Sequence, residues 1–164
     1  MNIAFRYVSV NTGPIGDGRT ATQASTAWRP ALLAAQRPGW EQVERDYRDA
    51  LLHLRRAGET GDALTAANTA VESALKALGM KGNTLAQLLK SLRNSGLLAG
   101  HSAAILDSLM DLTSRLEAWR SSEGDAHGRA PGAVDPTRPL AALALHWAGS
   151  FIAYLATLAD NSAP

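Results

Sequence analysis

The fold of this chain is decided first by residues 40–54, which read Trp40-Glu41-Gln42-Val43-Glu44-Arg45-Asp46-Tyr47-Arg48-Asp49-Ala50-Leu51-Leu52-His53-Leu54. Apolar side chains recur there at every third or fourth position, which places them on one face of an α-helix, and the arginines fall mostly on the other faces. The stretch therefore predicts an amphipathic helix. Its predicted buried face consists of Trp40, Val43, Tyr47, Ala50, Leu51 and Leu54.

Three more helices are predicted between this stretch and residue 119. The second carries its apolar positions from Ala63 to Leu78 and ends at Gly79, because glycine is the usual residue just past a helix C-terminus. The third begins at Thr84, which forms a capping box with Gln87. Ser102 is a candidate cap for the fourth. The apolar stripe of the fourth helix consists of Ile105, Leu109, Leu112, Leu116 and Trp119.

The last predicted helix begins at Thr137 and has Pro139 in its first turn. The run from Leu140 to Ala159 is apolar except at three positions, one of them His146, so it is long enough to cross a bilayer. A helix buried in a bundle or a dimer interface has the same composition, and the alanines and the central histidine favour that interpretation. The pattern predicts an all-α bundle of four to five helices over residues 39–164.

Residues 1–38 differ in composition from the rest. Asn2 to Val10 alternates in hydropathy, which predicts a short strand. Asn11 to Pro38 is rich in Gly, Thr, Ala and Pro, which is typical of a flexible linker. We therefore expect an N-terminal arm over 1–38. The N-terminus lacks the pattern of a signal peptide, so a cytoplasmic location is expected.

Composition excludes several classes of function. The 164 residues contain no cysteine, so disulfides, thiolate catalysis and cysteine zinc sites are excluded. The formal net charge of +1 gives no global basic field. A nucleic-acid partner would therefore have to be attracted by a local basic patch.

The stretch from Arg120 to Arg129 carries the candidate chemistry. Arg120 ends the fourth helical pattern, and His127 follows seven positions later between Gly124 and Gly128. An arginine that stays charged, beside a side chain that titrates near neutrality, is a pair suited to a phosphate ester. A structural interpretation also fits, in which Arg120 complements the helix dipole and His127 is a loop residue.

The other three histidines are scattered, and a structural role explains each of them. His53 lies on a basic helix face and is predicted to be solvated. His101 stands beside a helix start, where capping explains it, and His146 is expected to be a hydrogen-bonded buried or interface histidine. No cluster of histidine and carboxylate ligands emerges, so neither a metal nor another cofactor is predicted.

Residues 60–155 resemble the C-terminal domain of bacterial abortive-infection proteins, a branch of the HEPN superfamily. The likeness rests on the helix from Gly61 to Lys76, on the string Gly124-Asp125-Ala126-His127-Gly128, and on the alanine-rich last helix. The family motif is an arginine, a polar residue and, a few positions on, a histidine. Arg120, Ser121 and His127 match its long form. The resemblance implies a HEPN-like bundle.

Members of that superfamily are commonly metal-independent endoribonucleases that act as toxins or in phage defence, usually as homodimers. The resemblance implies His127 as general acid or base and Arg120 as the phosphate ligand, with Ser121 and Asp125 in support. The expected product is a 2′,3′-cyclic phosphate. RNA contacts are expected from Arg129, Arg115 and Arg138. An antitoxin or regulatory protein is a further expected partner.

Two alternatives stay open at this point. In the first, the chain is a non-catalytic HEPN-like module for dimerisation, sensing or partner binding, because the family also contains members that only bind. Ser121 stands where such proteins often carry Asn or Asp, and Glu123 adds a negative charge near the expected phosphate. In the second, Leu140 to Ala159 anchors the chain in a membrane, which the bundle interpretation does not require.

Overall fold

The protein is described by a computed structural model over residues 28–100, 102, 104, 107–108, 110–115 and 136–162. All regular secondary structure in this part of the chain is helical, which confirms the predicted fold class. The helices are α1 over 28–35, α2 Glu41–Arg55, α3 Thr60–Ala77, α4 Leu85–Asn94, α5 with described residues at 104, 107–108 and 110–115, and α6 Arg138–Ser162.

The helix face predicted from residues 40–54 forms one side of the core. All six of its predicted apolar residues are buried. Of the described helix pairs, α2 and α3 pack together most extensively. The face of α3 turned to the core is made mainly of small side chains, which let helix axes approach closely. Its buried residues include Ala63, Ala67, Ala70, Val71, Ala74 and Leu75.

The C-terminus of α3 ends at the predicted glycine. Gly79 has a φ of 81°, a left-handed conformation that only glycine adopts without strain. Its N–H donates to the Lys76 carbonyl at 2.9 Å, and the Met80 N–H donates to the Leu75 carbonyl at 3.0 Å. This pair of hydrogen bonds is a Schellman motif, which satisfies carbonyls that the helix leaves free.

The start of α4 confirms the predicted cap with one difference. The Thr84 hydroxyl oxygen accepts a hydrogen bond from the Gln87 N–H at 3.3 Å. In a complete capping box, the Gln87 side chain would accept a hydrogen bond from the N–H of the cap residue Thr84. Here Gln87 Oε1 accepts instead from the N–H of Asn83, the residue before the cap, at 2.8 Å.

Helix α6 runs antiparallel to α2. The Tyr47 hydroxyl donates to the Leu145 carbonyl at 3.0 Å. Arg37, just before α2, donates to the Ala156 carbonyl at 2.6 Å and also pairs with Asp160. The earlier residue, Arg37, contacts the later part of α6, and the later residue, Tyr47, contacts the earlier part. The C-terminus of α2 therefore lies at the end of the bundle where α6 begins.

Helix α6 lies close to its neighbours at Gly149. A Cβ atom there would overlap Tyr47 Oη, and it would lie 3.0 Å from Tyr47 Cζ and 3.1 Å from Ala31 Cβ. Tyr47 is completely buried, and burial raises the pKa of its phenol. Gly149 is therefore required for α1, α2 and α6 to meet at this distance.

Residues 28–35 differ from the expectation of a linker. They form α1, with Ala31 and Ala35 buried in the core and Trp28 and Leu32 packed against it. Small side chains four residues apart lie on one face of a helix and let α1 pack closely against the core. The prediction of a linker rested instead on the Pro and Gly residues nearby. The bundle therefore begins before residue 39. The strand predicted over 2–10 lies outside the described residues.

The buried face of α5 also differs from the predicted stripe. Leu112 is 40% exposed, whereas Met110 and Thr113 are buried. Thr113 is buried because its hydroxyl accepts a hydrogen bond from Trp147 Nε1 at 3.2 Å. The other four residues of the predicted stripe lie outside the described part of the chain.

Among the described helices, only the last is long and apolar enough to cross a membrane, by length and composition alone. The most apolar 18-residue window within Arg138–Asn161 has a mean hydropathy of 1.4, and half of that window is buried inside the bundle. Its buried residues include Ala141, Leu145, Ala148, Ile152 and Leu155. Packing against the other helices therefore accounts for part of its apolar character.

The contact at Gly149 generates a stability prediction. We expect Gly149→Ala to lower the free energy of unfolding by about 1–2 kcal/mol, because overlap with the buried Tyr47 ring outweighs the gain in helix propensity. Urea unfolding followed by circular dichroism measures this change. Ser150→Ala, at the exposed neighbouring position, is the control and should change stability by less than about 0.5 kcal/mol.

A second variant tests the cause. Tyr47→Phe removes the hydroxyl oxygen that the new Cβ would overlap, so Gly149→Ala should be less destabilising in the Tyr47→Phe background than in the parent. Equal losses in the two backgrounds would show that Tyr47 is not the steric limit.

The cap of α4 generates a third prediction. Thr84→Ala should lower the free energy of unfolding by about 1 kcal/mol, because the Gln87 N–H loses its acceptor. Thr84→Ser keeps a hydroxyl oxygen at the same place and should retain most of the stability. A loss of equal size in both variants would contradict a capping role.

Candidate functional site

The residues of the predicted Arg–His motif lie in the segment between α5 and α6. Five of the predicted site residues are outside the described part of the chain: Arg120, Ser121, Asp125, His127 and Arg129. The structure describes the two remaining ones, Arg115 and Arg138, and the helices that hold the two ends of the segment.

A hydrogen bond links α5, which precedes this segment, to α6, which follows it. Trp147 of α6 donates its indole N–H to the buried Thr113 hydroxyl of α5 at 3.2 Å. At the other end, Pro136 is buried, and the Thr137 carbonyl accepts the Ala141 N–H at 2.9 Å. The core therefore anchors the chain on both sides of residues 116–135.

Arg115 is exposed on α5 and already has a partner. Its Nε donates to Asp111 Oδ2 at 2.7 Å, one helical turn earlier, and this hydrogen bond raises the pKa of the guanidinium. Ion pairs of this kind on an exposed helix face are weak. The side chain can therefore leave Asp111 for a phosphate, but its charge is partly compensated.

Arg138 lies at the first position of α6 and is exposed. It forms no hydrogen bond or ion pair with a described residue. The first turn of α6 contains no acidic side chain. A helix N-terminus carries partial positive charge, so Arg138 and the backbone together make this end of α6 attractive to anions.

The turn between α2 and α3 lies at the same end of the bundle as the start of α6. The antiparallel contacts of Tyr47 and Arg37 with α6 place the C-terminus of α2 there. The Ser73 hydroxyl donates to Asp46 Oδ2 at 2.6 Å, which pairs the middle of α2 with the later part of α3. The first turn of α3 therefore faces the same end.

That turn brings together a histidine and two carboxylates. His53 Nδ1 lies 2.7 Å from Glu59 Oε2, and Arg56 donates to the same oxygen at 3.3 Å. The hydrogen bond with His53 holds the pKa of Glu59 below its usual range, with a smaller effect from Arg56. One ligand atom each from His53, Glu59 and Asp62 lie within 4.8 Å of one another.

The sequence predicts a solvated His53 and no cluster of histidine and carboxylate ligands, and the structure differs on both points. His53 is half-buried and bonded to Glu59. The three residues belong to two helices and become neighbours only because the chain reverses between Arg56 and Glu59. In the sequence, Glu59 follows His53 by six residues and Asp62 follows Glu59 by three, across the break between the first two predicted helices. This spacing was the available signal for the cluster.

His146 also departs from its expected role. Its ring lies against Trp28, with 5.3 Å between the ring centroids. Within the described part of the chain, its Nε2 and the Trp28 Nε1 are both buried and have no hydrogen-bond partner, whereas the sequence predicts a hydrogen-bonded buried or interface histidine. His101 lies outside the described residues.

Comparison with known proteins supplies one match. The family model of the Abi_C HEPN-like domain matches residues 41–159, which is more than two thirds of the chain and includes α2, α3, α4 and most of α6. No curated protein and no solved structure matches. The matched region covers the Gly61–Lys76 helix and the segment that holds Arg120 and His127. This chain therefore belongs to the Abi_C family of HEPN-like domains.

Proposed function

We propose that this protein is a metal-independent endoribonuclease whose reacting groups are Arg120 and His127. The observation that carries the proposal is the family membership of residues 41–159, taken together with an intact Arg–polar–His motif in the matched region. The described geometry supports it, because a hydrogen bond links α5 and α6, the two helices that precede and follow the motif.

The chemistry that these residues could perform is transesterification within RNA. The ribose 2′-oxygen attacks the adjacent phosphorus while His127 accepts or donates a proton, and the 5′-oxygen leaves with a proton. The products are a 2′,3′-cyclic phosphate and a 5′-hydroxyl. A histidine that titrates near neutrality suits this proton transfer, which is typically worth about 10²–10⁴-fold in rate.

The other motif residues have supporting roles in this proposal. Arg120 holds the scissile phosphate and offsets the charge that develops in the transition state. Ser121 positions the phosphate or Arg120, and Asp125 orients the His127 ring. Arg129, Arg115 and Arg138 supply RNA contacts outside the reacting groups.

The proposal includes a homodimer that brings two motifs together. Leu143 is 63% exposed and Leu140 is 41% exposed, in the first two turns of α6. These leucines lie within five residues of Arg138, so a partner copy that covers them would lie beside the start of α6. They are one helical turn apart, and an exposed apolar patch of this kind is a candidate contact surface. A cytoplasmic role in phage defence or toxicity, controlled by an antitoxin or regulatory protein, completes the proposal.

A second candidate function is a non-catalytic binding module. Two observations favour it: Arg115 is bonded to Asp111, and Ser121 reaches less far than the Asn or Asp common at that position. In this case the motif would be structural, and the start of α6 would serve contact with a partner.

The cleavage prediction separates the two functions. Purified protein incubated with labelled RNA in EDTA should yield 2′,3′-cyclic phosphate ends, and His127→Ala or Arg120→Ala should lower the rate by at least about 10²-fold. His101→Ala is the matched control and should keep the parent rate. Absence of cleavage by the parent protein across several RNAs would favour the binding module.

The dimer prediction uses the exposed leucines. Leu143→Arg should shift the protein from dimer to monomer in light scattering and lower RNA cleavage, because a buried unpaired charge disrupts an interface. Leu52→Arg places the same charge at another exposed leucine, on α2, and should leave the mass unchanged. A monomeric parent protein would contradict the dimer.

A further inference from the structure

The cluster at the α2–α3 turn is independent of the Arg–His motif. His53 belongs to the last turn of α2, Asp62 to the first turn of α3, and Glu59 to the position just before α3. Because α2 and α3 pack together along their lengths, the distances between these positions are set by the core and not by a free loop. The set combines one imidazole nitrogen with two carboxylate oxygens.

A small cleft with excess negative charge adjoins the cluster. It has a volume of ≈ 280 Å³, and its lining includes Asp46, Asp49, His53, Asp62 and Thr65. Asp46 accepts hydrogen bonds from Gln42 and Ser73, which are both neutral. Asp49 and Asp62 have no ion pair with a described residue.

Apart from His53, Arg56 is the only described residue that forms an ion pair with one of these acidic groups. It lies 3.3 Å from Glu59 and is more than half exposed. The other three carboxylates, Asp46, Asp49 and Asp62, have no ion pair with a described residue. The cleft therefore keeps a local negative potential although the whole chain has a net charge of +1.

We propose that His53, Glu59 and Asp62 bind a first-row divalent cation of the Zn²⁺ or Mn²⁺ class. One nitrogen and two carboxylate oxygens suit these ions, whereas Mg²⁺ and Ca²⁺ prefer oxygen ligands alone. Three protein ligands leave a coordination position for water on the open side of the cleft.

The rearrangement needed to bind the ion is small. Ligand atoms of a tetrahedral Zn²⁺ site lie about 3.3 Å apart, as follows from metal–ligand distances of about 2.0–2.1 Å. The present separations are between 2.7 Å, for His53 Nδ1 and Glu59 Oε2, and 4.8 Å. The ion would replace the hydrogen bond between His53 and Glu59, and Asp62 would move toward them by a side-chain rotation.

The ion would join the end of α2 to the start of α3 and would take no part in RNA cleavage. Its ligands are not residues of the proposed ribonuclease motif, so cleavage in EDTA and cation binding are separate outcomes. Arg56 competes with the ion for Glu59 Oε2, so removal of Arg56 should strengthen binding.

Isothermal titration of the full chain, without an affinity tag, with Zn²⁺ and with Mn²⁺ tests the site. We expect one ion per chain. Asp62→Asn should weaken binding at least about tenfold, since loss of even an outer-shell partner typically costs that much in metal sites, and His53→Gln should do the same. Asp49→Asn removes the same charge from the same cleft without removing a ligand, and should weaken binding less than about threefold.

Two results would overturn the proposal. The first is the absence of saturable binding by the parent protein. The second is an equal loss in Asp49→Asn and Asp62→Asn, which would mean that cations are attracted to the acidic surface without coordination. Circular dichroism confirms that each variant is folded, and the conservative Glu59→Gln change supplies a further ligand variant. His127→Ala should bind the ion as the parent does, which separates this site from the motif.

Discussion

The packing of Tyr47 against Gly149 is the constraint on which the arrangement of helices depends. Tyr47 is completely buried, its hydroxyl is bonded to the Leu145 carbonyl, and its ring occupies the space that any side chain at position 149 would need. An aromatic ring of this size fixes both the distance and the register between α2 and α6, because protein cores are close-packed. The Cβ atom of Ala31, in α1, also lies close to position 149.

That register determines what lies at each end of the bundle. With Tyr47 beside Leu145 and Arg37 beside Ala156, the C-terminus of α2 and the start of α6 share one end. The start of α6, which follows the Arg–His motif in the sequence, and the cluster of His53, Glu59 and Asp62 both lie at that end. The start of α6 is basic at Arg138, whereas the α2–α3 turn is acidic. An anionic ligand, such as the RNA of the proposed function, is therefore attracted more to the α6 side than to the α2–α3 turn.

Particular residues show how much of the fold could be predicted from the sequence. The apolar period of residues 40–54, the glycine after α3 and the cap at Thr84 were predictable because each acts within one or two helical turns. The helix at 28–35 was missed, since its helical state depends on packing of Ala31 and Ala35 against α2 and α6. Leu112 was assigned to the wrong face for a similar reason: the bond from Trp147 selects the buried side of α5.

The sequence by itself determined the all-α class, the order of the main helices and the resemblance to the family. These follow from local periodicity, capping and a short string of residues, which need no knowledge of distant contacts. Only the tertiary structure decided that His53 meets Glu59 and Asp62 and that Gly149 is required for close packing. The physical reason is that such contacts join residues of different helices, and core packing sets the distances between helices.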